Sequence, residues 1–330
     1  VEFWREVVAR VAAEAPDTLL LAEAFWMMEG YFVRTLGMHR VYNSAFMNML
    51  AREANGDYQQ LMRNVLEFDP QILQRFVNFM NNPDEETAIA QFGDGDKAYG
   101  VATLMATLPG LPMFGHGQVE GLHEKYGMEY RRAKIDERPN EAMIMRHRAE
   151  VAPLLARRRS FAGTDRFRLF EVVADHGLLP DVFAYANGEP GGAMNLVLYH
   201  NRYAEAHGRI ERTVPYAAAG SLQQQPVGES LGLHGGPDRF VRYRDLITGL
   251  EHLARADDWL RHGIPVRLGA YQRRIWLDVV ELRDVDGRWE RLWRHLDGRG
   301  VERLEDALVE LELEPLHQAF AALVRERVEP

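Results

Sequence analysis

At 330 residues and 37.8 kDa, the chain exceeds one small domain and points to two or so. Its 46% hydrophobic and 10% aromatic content can fill sizeable cores, which excludes a disordered or fibrous chain. Thirty-nine Lys and Arg against 49 Asp and Glu leave a formal charge of -10, too acidic for a sequence-independent nucleic-acid binder, which must neutralise phosphates. With no cysteine there is no disulfide, thiolate nucleophile or Cys-based zinc site, and that absence chooses no compartment. No apolar run approaches the ~20 residues of a membrane helix, so no membrane partner is expected. No basic-then-apolar leader opens the chain, which starts on Val1 in helical sequence, as a cut chain would.

In chain order, Phe3, Val7, Val8 and Val11 recur at helical spacing and predict a helix over residues 2–15, with one apolar face. Pro16-Asp17 stops it, and Thr18 to Ala22 has the length of a short buried strand. A helix over 26–37, a strand at Arg40–Asn43 and a helix over 46–67, broken at Asn55-Gly56, follow. Gln74–Met80 predicts a strand, 96–108 a helix closed by Pro109-Gly110, Leu111–Phe114 a fourth strand and 140–158 a further helix. This is the rhythm of parallel βα repeats, and four of them amount to half of an eight-stranded barrel.

Near Ser160 the pattern changes. Residues 167–173, 181–186, 194–200 and 208–214 predict strands separated by Gly, Pro and Asn turns, the signature of an antiparallel sandwich. Residues 216–237 predict a loop, 239–262 a helical insertion and 264–283 one or two closing strands. The expected division is thus an α/β unit over 1–159, a β-sandwich over 160–285 that folds by itself, and a helical tail over 286–330.

In a βα barrel the residues ending the strands face the active site, whatever the reaction. Glu23 closes the run Leu19-Leu20-Leu21-Ala22, and Asp84 follows Phe76-Val77-Asn78-Phe79. A carboxylate at the end of an apolar run is costly unless paired, hydrogen-bonded or protonated. One alone is as well explained as a cap or ion pair, whereas two, two βα units apart, point to paired acid/base chemistry on a sugar. Phe25 and Trp26, beside Glu23, suit stacking on a sugar ring.

Three segments carry a resemblance. Leu20-Leu-Ala-Glu23-Ala-Phe-Trp26 resembles the catalytic-glutamate segment of the α-amylase superfamily, glycoside hydrolase family 13. Phe79-Met-Asn-Asn-Pro-Asp84-Glu resembles that family's later Phe-x-x-Asn-His-Asp segment. Leu108-Pro-Gly-Leu-Pro-Met-Phe-Gly-His-Gly117-Gln118 resembles its last strand, usually followed by Gly-Asp-Glu or Gly-Gln-Glu.

The resemblance implies the C-terminal half of a (β/α)8 TIM barrel, strands five to eight, followed by a β-sandwich domain. It also implies a retaining enzyme acting on an α-glucan or maltooligosaccharide by hydrolysis or transglycosylation. Glu23 would be the general acid/base and Asp84 the transition-state stabiliser, with Asn82, His116, Gln118, Phe25 and Trp26 against the sugar. The aspartate nucleophile, with the N-terminal barrel half, would lie upstream of Val1, so this piece alone is expected to be inactive. Pro83 replaces the family's usual His and removes a hydrogen bond to the sugar, which points to an unusual subfamily. A maltosyltransferase and a noncatalytic glucan-binding or structural remnant are the alternative readings.

Other segments carry less. Gly115-His116-Gly117-Gln118 is off-register for a dinucleotide fingerprint. Asp94-Gly95-Asp96 lacks the bidentate Glu of a calcium loop and is expected to cap the helix that follows. No His-Glu-x-x-His occurs among the twelve histidines, so neither a metal nor a cofactor is predicted. Tyr42 and Asn43 end the second strand and either face the cleft or pack, while Tyr126, Tyr130, Arg131 and Arg132 either extend a glucan surface or pack under the rim. Arg157-Arg158-Arg159 at a helix end suits the dipole or local acids.

Overall fold

The computed structural model describes residues 2–23, 28, 30–125 and 131–328. Helix α1 (Phe3–Glu14) is capped by the Glu2 carboxylate, which accepts the Arg5 N–H at 3.0 Å. The helix forms as the spacing predicts, but none of its residues is buried, and Phe3 and Trp4 are 67% and 48% exposed. Periodicity identified the element, then, without identifying a covered face.

Four parallel strands follow, in sequence order across one sheet: β1 (Leu21–Ala22), β2 (Arg40–Tyr42), β3 (Phe76–Phe79) and β4 (Leu111–Met113). Of the helix expected over 26–37, residues 26, 27 and 29 lie outside the described residues, and the remainder holds a π-helical turn at Tyr31–Thr35 in place of an α-helix. Between β2 and β3 lie α2 (Ser44–Ala51) and α3 (Asn55–Phe68). The break precedes Asn55-Gly56, which opens α3 and does not interrupt it. Between β3 and β4 lie α4 (Ala88–Phe92) and α5 (Asp96–Thr107). Gly95 occupies the cap of α5, and Asp96 in its first turn pairs with Arg146, which corrects the expected aspartate cap. Strand β3 is buried throughout, whereas Leu21 on β1 and Leu111 on β4 are exposed. Among the described residues, β1 pairs only with β2 and β4 only with β3, so both outer edges of the sheet are unpaired.

The helix expected over 140–158 is two, α6 (Glu141–Glu150) and α7 (Ala152–Ala156), with Pro153 in the first turn of α7 at the break. Proline there lacks the N–H that an unbroken helix would need. After the short α8 (Arg159–Ala162) the chain becomes antiparallel: β5 (Arg168–Ala174), β6 (Gly177–Leu178), β7 (Val182–Asn187), β8 (Met194–His200) and β9 (Ala206–Thr213). The stretch expected as loop holds a hairpin, β10 (Tyr216–Ala218) with β11 (Ser221–Gln223), and α9 (Val227–Ser230).

The helical insertion expected over 239–262 is overturned. It is a hairpin of β12 (Arg239–Asp245) and β13 (Glu251–Arg255), and only α10 (Ala256–His262) is helical. The turn decides it: the Asp245 carboxylate accepts the N–H groups of Ile247 and Thr248, and Gly249 takes φ +72°. Strands β14 (Ile264–Leu268) and β15 (Arg273–Arg283) close the sheet, and α11 (Arg288–Leu296) and α12 (Leu304–Val328) form the tail. The order β13-β12-β15-β8-β7-β5-β9-β14 turns at β5, which pairs β7 through Arg168 and Leu169 and then β9 through Phe170, Val172 and Val173.

Strands β7 and β8 are buried on both faces. Val182, Ala184, Leu196 and Leu198 join the core inside the curled antiparallel sheet, and Phe183, Tyr185, Val197 and Tyr199 join the core beneath the parallel one. Helix α5, buried without interruption from Ala98 to Thr107, fills that second core. At Gly100 a Cβ would overlap the Tyr199 ring, so glycine is what lets this helix lie against β8. A polar seam runs alongside, where Asn201 donates to Asn55 Oδ1 at 2.7 Å and to the Leu50 carbonyl at 3.1 Å, and Gln59 donates to the carbonyls of Pro180 and Val182.

Candidate active site

The registers of β1 to β4 place their carboxyl ends along one edge of the sheet. Glu23 leaves the end of β1 and is exposed. Asp84, also exposed, lies on the loop after β3. Tyr42 ends β2 between them, its ring 5.1 Å from Phe79. Burial, then the carboxylates of Glu23 and Asp84, push the Tyr42 phenol above its ordinary value. Both acids therefore lie within electrostatic reach of the same hydroxyl. Nothing in the sequence singled out Tyr42 as the group between them beyond its place at a strand end.

The loop carrying Asp84 is shaped by Asn82, whose Oδ1 accepts the N–H groups of Asp84 and Glu85, each at 3.0 Å. This is an Asx turn, in which the side chain mimics the backbone and fixes where the following residues point. Lys125 Nζ ties down the same loop by donating to the Asp84 carbonyl at 2.7 Å.

The remaining expected site residues divide. His116 is exposed just beyond β4 and shares with Asn82 a small pocket of about 30 Å³, room for a water or two and not for a sugar ring. Its backbone carbonyl accepts from Asn81 Nδ2 at 3.2 Å. Gln118 is 3% exposed, with its amide nitrogen near the sulfur atoms of Met80 and Met105 at 3.3 and 3.9 Å, so it packs below the edge. Asn43 is likewise buried: it caps α2 through the Phe46 N–H and donates to Asn78 and Tyr58. Phe25 and Trp26 lie outside the described residues, as do Tyr126 and Tyr130. Among the described residues no cluster of three or more His, Cys, Asp or Glu could hold a metal, and no helix is long and apolar enough to cross a membrane.

No family model and no curated protein matches this chain by sequence. Solved structures do match, and they are α-amylase-family enzymes. An Anoxybacillus α-amylase superposes with a TM-score of 0.55 at 16% identity, covering 86% of this chain and 56% of its own. The debranching enzyme of Nostoc punctiforme gives 0.56 at 16% identity, covering 83% and 55%. The α-amylase of Geobacillus thermoleovorans, complexed with acarbose, gives 0.54 at 14% identity, covering 86% and 57%. At such identity the likeness is one of fold. The chain has the fold of α-amylase-family enzymes over most of its length, and it spans just over half the length of those structures.

Proposed function

We propose that this chain is the part of a retaining, α-glucan-active glycoside hydrolase or transglycosylase that carries the general acid/base, Glu23, and the transition-state stabiliser, Asp84. The observation that supports the reading is the placement of these two residues after β1 and β3, at the carboxyl ends of a parallel sheet in a chain whose fold matches α-amylase-family enzymes. Glu23 protonates the leaving glycosidic oxygen and later removes a proton from water or an acceptor sugar. Asp84 holds sugar hydroxyls and favours the oxocarbenium-like state. The four parallel strands are read as strands five to eight of a barrel, within units of 1–159, 160–285 and 286–330. The nucleophile is read as an upstream aspartate, about 5 Å from the acid in the assembled site. Sheet edges unpaired among the described residues, and neighbours of which just over half is matched, support that reading. Substrate binding is assigned to His116, Asn82, Phe25 and Trp26; Gln118 acts at most through the loop it supports.

The test is to trap the full-length protein with a fluorinated glucosyl donor and map the label. Glycosylation of an aspartate upstream of Val1, its carboxylate displacing the donor's leaving group, with residues 1–330 alone releasing no reducing sugar from maltooligosaccharides, is expected. A label confined to residues 1–330 overturns the reading. Pro83, exposed in the Asp84 loop where the related segment has His, favours as a second reading a glucan-binding or structural remnant without turnover. A gene with no coding sequence for the missing strands would select it.

A further inference from the structure

The end of the parallel sheet away from Glu23 and Asp84 brings two arginines together. Arg40 opens β2, level with Leu21 of β1, and Arg75 is the residue before β3. The two faces of the sheet are set by Asn43, which reaches both Asn78 on β3 and Tyr58 on α3, so that Asn78 lies on the helix-covered face. Side chains alternate along a strand, which puts Phe76 on that face too, and with it Val41, its partner in the register. Arg40 and Tyr42 therefore share the opposite face with Val77. Leu21 and Leu111, which the register pairs with Arg40 and Val77, stand on that face as well, and both are exposed.

The two guanidinium groups converge on one acceptor, the His39 carbonyl, at 2.9 Å from Arg40 and 3.5 Å from Arg75. His39 is held in place by its own ring, whose Nδ1 accepts the Leu20 N–H at 3.0 Å. No acid answers the pair. Neither arginine forms an ion pair with any described residue, and the Nε of Arg40 is buried without a partner. Burial, then the charge of Arg75, push the Arg40 guanidinium below its ordinary value. Other partly buried arginines of the chain do find carboxylates, Arg63 with Glu171 and Arg273 with Glu150.

A guanidinium cannot shed its proton in a protein, so it cannot escape burial by becoming neutral. On an open sheet water solvates the pair. The inside of a closed barrel is filled by side chains and is no pore, and there two adjacent cations without an anion would be strongly unfavourable. Hydroxyls and amides would offer only dipoles, whereas a carboxylate supplies the opposite charge and fits the guanidinium fork. We propose that Arg40 and Arg75 are the docking pair for the upstream strands, which bring at least one Asp or Glu onto them when the barrel closes. The inference rests on the reading of β1 to β4 as half a barrel and adds the chemistry of the half that meets it. It concerns the end of the sheet opposite the proposed catalytic acids, so pairing and turnover can fail separately.

The experiment compares urea unfolding of the 330-residue chain and of the full-length protein, each with Arg75→Met and Arg75→Lys. In the 330-residue chain at low salt, Arg75→Met should raise the midpoint, because it removes a repulsion. In the full-length protein the same change should lower the midpoint, because it strands a buried carboxylate, and Arg75→Lys should lower it less. Replacing the facing upstream acid by its amide should then cost less in the Arg75→Met protein than in the wild type. A full-length protein that Arg75→Met leaves unchanged or stabilises overturns the inference, and so does an upstream sequence with no acid near the start of a strand. An equal loss in both proteins overturns it too, since Arg75 would then act within this chain. All three results leave the catalytic reading standing. Opposite signs in the two proteins, with a full-length protein that turns over no glucan, would sink the catalytic reading and keep this one, and a gene that encodes no upstream strands overturns both.

Discussion

Glu23 and Asp84 both stand exposed, and each is asked to do something different to the same bond. In the full-length protein, Glu23→Gln should lower kcat by about 10²- to 10⁴-fold on substrates with ordinary sugar leaving groups. Activated aryl glycosides, whose leaving group needs no proton, should lose far less, and equal losses on both substrates would assign Glu23 another role. Asp84→Asn should lower kcat with little change in KM, because its charge is most useful where positive charge develops on the ring. An unchanged kcat would make Asp84 a loop acid, as its neighbour Pro83 permits. Glu23 was legible in the sequence because it ends an apolar run, where charge is conspicuous, and Asp84 because it follows the strand Phe76–Phe79 across a polar turn. The burial of Gln118 was not, since a polar residue two positions past an exposed His gives no local sign that the chain has turned inward to Met80 and Met105.

At the scale of elements, the last turn of α5 shows how a buried charge finishes a fold. Arg158 donates to the carbonyls of Ala106 and Leu108, each at 2.8 Å, and to that of Gly110, just before β4 begins. The Ala106 carbonyl is one that a helix end leaves without a partner, and those of Leu108 and Gly110 follow it into β4. Burial lowers the guanidinium to about 10, so it stays charged at neutral pH. Arg158→Met removes the bonds and strands the carbonyls; a loss of about 3 kcal/mol by urea unfolding is expected. A loss below about 0.5 kcal/mol would mean that water replaces the guanidinium. The neighbouring arginines took the local acids, Arg157 with Asp278 and Arg159 with Glu189, one of the partners expected for a basic run at a helix end. The β12–β13 hairpin was misread because Phe240, Tyr243, Leu246, Ile247, Leu250 and Leu253 mimic a helical stripe. The contrary signal was short and local: an aspartate that starts a turn and a glycine four residues later. The parallel strands were easier, because Pro, Gly and Asn punctuate their ends and their apolar runs are of strand length.

For the molecule as a whole, several tyrosines titrate only at a cost. Burial raises the phenols of Tyr58, Tyr185 and Tyr199 well above the ordinary value, although Asn43 and Thr107 partly offset it for the first two by hydrogen bonding. The unfolded chain releases these protons near pH 10 and the folded chain only at higher pH. In that window the folded state holds more protons, so stability is whole below about pH 10 and falls as pH rises through and beyond it. Urea midpoints at pH 9 and 11 should differ accordingly, and identical midpoints would show that these hydroxyls are open to solvent.

Strands β7 and β8, covered on both faces, decide how the chain comes apart. A strand shared by two cores cannot be surrendered by one and kept by the other. Sequence alone suggested a sandwich able to fold by itself from about Ser160, but a piece cut there would turn Phe183, Tyr185, Val197 and Tyr199 out to water. Calorimetry of the 330-residue chain should then give a single transition, with calorimetric and van't Hoff enthalpies equal, and slow amide exchange in α5 and β8 should be lost together. Two separate transitions, or a soluble, well-dispersed spectrum from residues 160–330 alone, would show the halves to be independent. What the shared strands give the molecule is cooperativity: the parallel sheet bearing Glu23 and the antiparallel sheet belong to one thermodynamic unit, so that loosening either is felt in the population of both.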